Sequence, residues 1–171
     1  FRQTRFDHIR IGEYGTKRIT PRLEAIAADF NAGGGETQAM ANLRLARWQK
    51  LVWNVPYNGL SAVLDADTQQ QMDHPALAAL VEALMVEVAD AARADGGFDI
   101  PRSFIETMLG NTRKMGPYLP SMQIDRRLGR AMEVEAIHGD AVRAAQHAGC
   151  AAPRMEALYQ QLRWIEDQRE E

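Results

Sequence analysis

The sequence predicts an all-α domain of seven or eight helices, with a short stretch of β structure at its start. Two observations support this fold class. Apolar residues recur at helical spacing through most of the chain, and prolines and glycines stand where the helices would begin and end. The clearest helix spans residues 75–94, and its apolar stripe consists of Leu77, Leu80, Val81, Leu84, Met85, Val88 and Ala92.

The first 20 residues show a different pattern. Ile9 and Ile11 alternate with polar residues, which is typical of a half-buried strand, and residues 17–20 would form a second strand after a turn. We therefore expect a β-hairpin within residues 1–20. Because a two-stranded hairpin is only marginally stable in water, we expect it to complete a sheet in a preceding part of a longer protein.

The helical patterns begin at Thr20, which suits an N-cap, and Pro21, which suits the first helical position. A second helix is predicted to break or kink after Asn54, because Pro56 removes one hydrogen bond and clashes with the preceding turn. A short helix would restart over residues 60–64. Later helices are predicted over residues 101–109, 120–129, 132–148 and 153–169.

Composition and charge argue against several classes of protein. The chain has 171 residues, of which 46% are hydrophobic and 25% charged, as is ordinary for one globular domain. A net charge of −3 gives no electrostatic reason to expect nucleic acid or an anionic membrane as partner. No apolar stretch is long enough to span a bilayer, and no signal peptide is recognisable.

The cysteine and histidine residues point to a cytoplasmic protein without a metal site. The single cysteine, Cys150, cannot form an internal disulfide, which favours a reducing compartment. The four histidines do not have the spacing of metal ligands, so we predict no metal.

Lys50 is the first candidate for chemistry. Most of its neighbours in the segment 48–53 are large and apolar. Partial desolvation would lower the pKa of its ammonium, and a lysine closer to neutrality can act as a general acid. The alternative is a lysine that buries only its aliphatic stem on an amphipathic helix.

Asn54 and Asn58 follow Lys50 at intervals of four residues, so all three would project from one helical face. Amides on an apolar wall suit a small ligand with hydroxyl and carbonyl groups, because each amide offers both donors and an acceptor. The alternative is that Asn54 caps the end of one helix and Asn58 opens the next.

Two further candidates lie at helix starts. Ser121 follows Pro120, where a hydroxyl beside the free N–H groups of a first turn could bind a carboxylate; alternatively, it is an ordinary N-cap. Glu133 and Glu135 open a later helix, where the helix dipole alone would favour them. The basic cluster at positions 126, 127 and 130 is flanked by acidic residues, which predicts ion pairs.

Two segments carry a pattern that is more specific than any of these residues alone. The first reads Lys-Leu-Val-Trp-Asn from Lys50, followed by Asn-Gly-Leu-Ser from Asn58. The second runs from Pro-Ser-Met at 120–122 through Asp125 and Gly-Arg at 129–130 to Glu-Val-Glu-Ala-Ile-His-Gly at 133–139. In this order they resemble the signature segments of the ketopantoate reductases (2-dehydropantoate 2-reductases), and the opening strand resembles the end of that family's cofactor domain.

The resemblance implies a fold, a reaction and a set of partners. Residues 21–171 would be the multi-helix C-terminal domain of a 6-phosphogluconate-dehydrogenase-like reductase. Residues 1–20 would be the β-hairpin remnant of an NADP-binding Rossmann domain. The family reduces 2-dehydropantoate to (R)-pantoate with NADPH, a step toward pantothenate and coenzyme A. The expected partners are the 2-oxo acid, the Rossmann domain and a second copy in a homodimer, and the isolated chain is expected to be inactive.

The resemblance also implies roles for individual residues. Lys50 would protonate the carbonyl oxygen of the substrate, and Glu133 would lie near the nicotinamide end of NADPH. The residues implied to bind the substrate are Lys50, Asn54, Asn58, Ser121, Met122, Gln123 and Ile124.

One departure from the family pattern leaves the substrate open. Some members have another substrate-contacting asparagine about ten residues after Asn58, where this chain has Thr68. A relative that reduces a different 2-oxo acid is therefore an alternative. A helical interaction or dimerisation module without catalysis is another, although the joint presence of the lysine, asparagines, serine and glutamate argues against it.

Overall fold

A computed structural model of the chain describes residues 8–169, and within this range it confirms the predicted helical fold class. The elements in chain order are β1 (His8–Ile11), α1 (Pro21–Ala32), β2 (Glu36–Ala39), α2 (Leu43–Leu64), α3 (Thr68–Asp73), α4 (Pro75–Gly96), α5 (Arg102–Met115), α6 (Ser121–Arg127), a π-helical turn (Glu135–Gly139), α7 (Asp140–His147) and α8 (Pro153–Arg169). The chain divides between Arg47 and Trp48 into two compact units. The boundary at residue 20, which concerns the domains of a longer protein, stays a prediction.

The first unit is a small strand–helix–strand arrangement. β1 and β2 pair in parallel, with His8 opposite Glu36 and Ile11 opposite Ala39, and α1 makes the crossover between them. Asn31 at the end of α1 holds β2, because its Nδ2 donates to the Thr37 carbonyl and its Oδ1 accepts from the Thr37 amide.

The predicted β-hairpin is wrong. Its first strand is β1, but the partner of β1 is β2 rather than residues 17–20, and residues 1–7 lie outside the described range. Thr20 instead begins α1: its hydroxyl oxygen accepts from the Leu23 amide at 3.2 Å, and its backbone carbonyl accepts from the Glu24 amide at 3.0 Å. The strand β2 was not predicted, since only Thr37 among its four residues is buried and its pattern is correspondingly weak.

The long helix α2 continues through Pro56 without a break, so the predicted restart after Asn58 does not occur. Proline removes one hydrogen bond of the helix, but every residue from Val55 to Ala62 is buried by other elements. The surrounding packing therefore holds the helical conformation where the local sequence disfavours it.

Helices α3, α4, α5 and α8 all contact α2 through side chains. The Trp48 indole donates to Asp95 of α4 at 3.0 Å, and the Trp53 indole donates to Thr112 of α5 at 3.0 Å. The Tyr57 hydroxyl contacts the Met72 sulfur of α3 at 3.0 Å. At Gly59, α2 comes so close to its neighbours that a Cβ atom would lie 2.6 Å from Leu158 Cδ2 of α8. Residues 48–64 of α2 thus contact four other helices of the second unit.

Two other helices differ from the sequence-based prediction. α5 continues through Gly110 and ends at Met115, where Gly116 follows with a φ of +75°. The predicted helix at 132–148 contains the π-helical turn before α7. The N-terminus of α8 is capped from α4, because the buried Glu87 carboxylate accepts from the amides of Arg154 and Met155. No described helix is both long and apolar enough to cross a membrane.

We predict that Gly59→Ala destabilises the chain. The new methyl group would lie 2.7 Å from His138 Nε2 and 2.6 Å from Leu158 Cδ2, so either the helices separate or the side chains shift. Overpacking of this kind lowers the free energy of unfolding by about 1–3 kcal/mol, which urea denaturation measures.

Gly110→Ala is the matched control for this substitution. Gly110 is also inside a helix, but a Cβ there meets nothing within 4 Å. Alanine should therefore stabilise α5 by roughly 0.5–1 kcal/mol through helix propensity alone. Equal effects of the two substitutions would contradict the close approach at Gly59.

Candidate functional site

One face of α2 carries Lys50, Asn54 and Asn58. Because α2 is continuous, each step of four residues advances about 6 Å along the axis and keeps the side chains on nearly the same face. Lys50 is exposed, Asn54 is half-buried and Asn58 is only 3% exposed. Polar groups therefore line the helix from the surface into the protein. The helix-end roles considered for the two asparagines are excluded, since both lie inside α2.

Lys50 is not desolvated as the sequence suggested. Its side chain is exposed, and it makes no hydrogen bond or ion pair with the residues that the structure describes. Its apolar neighbours Trp48 and Val52 point into the core, and the lysine lies on the opposite, solvated side. The ammonium is therefore open to a ligand.

Asn58 connects the two signature segments in space. Its Oδ1 accepts from the Met122 amide at 3.3 Å and lies 3.5 Å from the Ser121 hydroxyl. Pro120, in the N-cap position of α6, has no side chain that could cap the helix. An asparagine from α2 supplies the missing acceptor, so the segments around positions 58 and 121 form one site.

The four residues at the start of α6 do not all face the same way. Ser121 is the first helical residue rather than the N-cap, and its side chain is exposed. Met122 is buried in the core, and Gln123 is fully buried with its Nε2 donating to Asp65 at 3.1 Å. Ile124 is partly exposed at 37%. Of the predicted run, Ser121 and Ile124 are thus accessible to a ligand, whereas Met122 and Gln123 support the helix from inside.

Asp65 and Arg126 hold the end of α2 against α6, and the sequence did not single them out for this role. Asp65 has a φ of +53°, and its Oδ1 accepts from Gln123 and, at 2.7 Å, from Arg127. Arg127 and then Gln123 hold the pKa of this carboxyl below its usual value. Arg126 donates to the Ala62 carbonyl near the end of α2.

The predicted ion pairs of the basic cluster are present only in part. Arg130 pairs with Asp125, as the sequence indicated, with Nε donating at 2.8 Å. Arg127 instead pairs with Asp65, which is distant in sequence, and Arg126 binds backbone carbonyl groups. These last two contacts depend on the meeting of α2 and α6, which no local pattern encodes.

Thr68 is buried and faces the loop that leads to Ser121. Its hydroxyl donates to the Gly116 carbonyl and its amide donates to the Tyr118 carbonyl, both at 3.1 Å. The Tyr118 ring packs edge-on against Trp53 of α2. Thr68 therefore positions the loop before α6, and its burial keeps its hydroxyl from a ligand.

The two glutamates of the second signature segment have different surroundings. Glu133 is exposed, and its carboxylate makes no hydrogen bond or ion pair within the described residues. Glu135 accepts from the Tyr159 hydroxyl at 2.7 Å and from Arg143 at 2.8 Å. Tyr159, and then Arg143, lower the pKa of this carboxyl. Glu133 alone is therefore open to a ligand.

The buried side chain of His138 contacts the backbone of α2. It is 1% exposed, and its Nε2 lies 3.0 Å from the carbonyl oxygen of Val55. Burial lowers the pKa of this imidazole to about 4, although the contact with Val55 acts in the opposite direction. The ring is therefore neutral near pH 7. Among residues 8–169 no group of three His, Cys, Asp or Glu side chains could hold a metal ion.

Comparison with known proteins identifies the family. Residues 42–166 match the family described as "Ketopantoate reductase PanE/ApbA C terminal". The chain belongs to this family. The match covers α2, which carries Lys50, and continues through α6 and the π-helical turn, so all predicted site residues of the ketopantoate reductase segment lie inside it.

Individual ketopantoate reductases resemble the chain closely. The 2-dehydropantoate 2-reductase of Nostoc sp. is 44% identical over 165 residues, which cover 94% of this chain and 51% of that protein. Crystal structures of 2-dehydropantoate 2-reductases from Geobacter metallireducens and Methylococcus capsulatus are 37% and 34% identical, each with a TM-score of 0.88. They are matched over 92% and 95% of this chain, and over 52% and 51% of their own chains. The chain thus spans about half the length of these relatives.

We predict that His138 makes the stability of the chain depend on pH between about 6.5 and 4. The unfolded imidazole binds a proton near pH 6.5, whereas the buried one binds it only near pH 4. As pH falls through this window the unfolded state gains protons that the folded state does not, so the free energy of unfolding falls by about 3 kcal/mol. Urea denaturation at several pH values measures this change.

His138→Gln is the control for this titration, because glutamine has no ionisable group. Its unfolding free energy should lack the part of the pH dependence that His138 contributes between pH 6.5 and 4. Identical pH dependences for the wild type and His138→Gln would show that the imidazole titrates normally in the folded protein.

Proposed function

We propose that the chain is the catalytic C-terminal part of an NADPH-dependent reductase that converts 2-dehydropantoate to (R)-pantoate. The observation that carries this proposal is the contact of Asn58 with the Ser121 hydroxyl and the Met122 amide. It joins the polar face of α2 to the start of α6, so a lysine, two amides and a hydroxyl are available around one small ligand.

The asparagines and the serine would bind the substrate. Asn58 uses its Oδ1 for α6, and none of the described residues accepts a hydrogen bond from its Nδ2. A donor in this position suits the carboxylate or hydroxyl oxygen of a 2-oxo acid, since both are acceptors. The half-buried Asn54 and the exposed Ser121 would complete the polar contacts.

Lys50 would act as the general acid. NADPH, when bound, supplies the hydride that reduces the C2 carbonyl. The ammonium of Lys50 stabilises the negative charge that develops on the carbonyl oxygen and then gives that oxygen a proton, which yields the hydroxyl group of the product. Because Lys50 is exposed and has no partner within residues 8–169, a substrate can reach it without displacing another group.

In this proposal the chain would contact NADPH only at its nicotinamide end. The exposed Glu133 carboxylate can accept hydrogen bonds from amide or hydroxyl groups, as expected beside a nicotinamide riboside. The sequence has no glycine-rich GxGxxG loop for the dinucleotide phosphates. We propose that a preceding Rossmann domain binds them, and the parallel β1–α1–β2 unit supports this, since parallel strands joined by a helix are the building unit of such domains. The homodimer and the cytoplasmic location stay predictions.

A related 2-oxo acid is a second candidate substrate. The observation that favours it is the burial of Thr68, whose hydroxyl donates to Gly116 and cannot take over a substrate contact made by an asparagine in some relatives. A panel of 2-oxo acids assayed with the full-length protein would decide between them through kcat/KM. If none is reduced with NADPH, the chain is better described as a helical interaction module.

We predict that Lys50→Ala in the full-length protein lowers kcat by about 10²–10⁴, the usual contribution of a general acid. Lys50→Arg should not restore the rate, because a guanidinium keeps its proton near neutral pH. Ser121→Ala should mainly raise the substrate KM, as expected when a binding contact is lost. Steady-state rates of NADPH oxidation measure all three.

Lys114→Ala is the control for the change of charge. Lys114 is exposed in the last turn of α5, and its loss should leave kcat and KM unchanged. A wild-type kcat for Lys50→Ala would exclude Lys50 as the proton donor.

A further inference from the structure

We infer that His138 is a positioning residue for the substrate site: its hydrogen bond to the Val55 carbonyl sets how Asn54 and Asn58 are oriented on the two sides of Pro56. The inference rests on the proposed function, because it concerns the residues proposed to bind the substrate. His138 has no role in the proposed reaction and is too deeply buried to meet a ligand itself.

Helix α2 is weakened next to Val55. Val55 lies directly between Asn54 and Pro56. Pro56 has no N–H, so the Val52 carbonyl lacks the donor it would have in a regular helix, and the proline ring presses on the preceding turn. Helices bend where the ladder of hydrogen bonds is interrupted in this way. The relative orientation of Asn54, before the proline, and Asn58, after it, therefore needs a support from outside α2.

His138 provides such a support. A carbonyl oxygen only accepts hydrogen bonds, so the imidazole nitrogen that faces Val55, Nε2, carries the hydrogen and donates it over 3.0 Å. Nδ1 is then an unprotonated acceptor, and it is buried without a partner among the described residues. Within residues 8–169 the neutral ring thus has one hydrogen bond, and that bond is made to the backbone of α2.

The imidazole ring of His138 is also in close contact with α2. Gly59 follows Val55 by one turn, and a Cβ atom at position 59 would lie only 2.7 Å from His138 Nε2. The ring therefore lies against the backbone between positions 55 and 59, which is the turn that contains Asn58. The π-helical turn Glu135–Gly139 presents His138 at this place. Extra-wide turns of this kind are frequent at functional sites.

The contact of His138 with α2 also concerns Glu133. The Ile137 amide donates to the Glu133 carbonyl at 3.1 Å, so Glu133 belongs to the same helical segment as His138. The hydrogen bond from His138 to Val55 thus connects two parts of the proposed site. One is the segment with Glu133, which is proposed to contact the cofactor, and the other is α2, whose Asn54 and Asn58 are proposed to bind the substrate. Loss of the bond should disturb the alignment of both groups.

The experiment compares His138→Gln with His138→Leu in the full-length protein. The glutamine Nε2 can donate to Val55 from nearly the same position, whereas leucine fills the space without a donor. We expect His138→Leu to lower kcat/KM by about 10–100-fold, because small misplacements of binding groups have effects of this size. His138→Gln should retain kcat/KM to within about threefold. His138→Met replaces the leucine variant if that variant does not fold.

A buried polar residue outside the proposed site provides the control for stability. Glu87 caps α8, and Glu87→Gln should lower Tm without changing kcat/KM at temperatures where the protein is folded. A purely structural His138 would behave like Glu87. The inference is therefore overturned if His138→Leu retains the wild-type kcat/KM, or if the leucine and glutamine variants are equally impaired.

Hydrogen exchange separates this inference from the proposed function. If the wild-type protein reduces no 2-oxo acid, the proposed function fails, and the amide exchange rates of residues 52–60 then decide the positioning role alone. Faster exchange in His138→Leu than in His138→Gln supports the hydrogen bond as the support of α2. Equal exchange in both variants overturns it.

Discussion

The close approach of α2 to the π-helical turn and to α8 is the constraint on which the second unit depends. Gly59 permits it, since any larger residue would collide with Leu158 and His138. This approach buries the middle of α2 on all sides, and burial in turn allows a helix with an internal proline to stay continuous. The spacing of Lys50, Asn54 and Asn58 along one face is a consequence, because it exists only while the helix is unbroken.

Helix ends in this unit are held by side chains from other helices. Asn58 of α2 accepts from the start of α6, Arg126 of α6 donates to carbonyl groups near the end of α2, and Glu87 of α4 accepts from the start of α8. Each contact satisfies backbone groups that a helix cannot pair internally. The first two also lock α2 and α6 together from both directions. A candidate site at this junction therefore has Asn58 fixed between the two helices, with the exposed Lys50 and Ser121 on either side of it.

The candidate site combines exposed polar groups with buried, hydrogen-bonded ones in a way that suits its proposed chemistry. Lys50 and Glu133 are exposed and without described partners, whereas the buried Asn58 is held by hydrogen bonds. A proton donor must move slightly as charge develops, while a binding group is most effective when its orientation is already set. The buried polar residues Gln123 and Thr68 use their hydrogen bonds for support of the surrounding segments.

Features that neighbouring residues encode could be predicted from the sequence, because they follow from short-range spacing and caps. They are the start of α1 at Thr20 and Pro21, the extent of α4, and the shared face of Lys50 and Asn54. The family signature likewise indicated the two segments of the site. Other features depend on residues far apart in the chain. These features are the parallel partner of β1, the continuity of α2 through Pro56, the contact of Asn58 with Ser121, the pairing of Asp65 with Arg127 and the burial of Thr68. They are stabilised by packing and hydrogen bonds between elements that are distant in sequence. Such interactions can outweigh the local propensity, and no pattern among neighbouring residues indicates them.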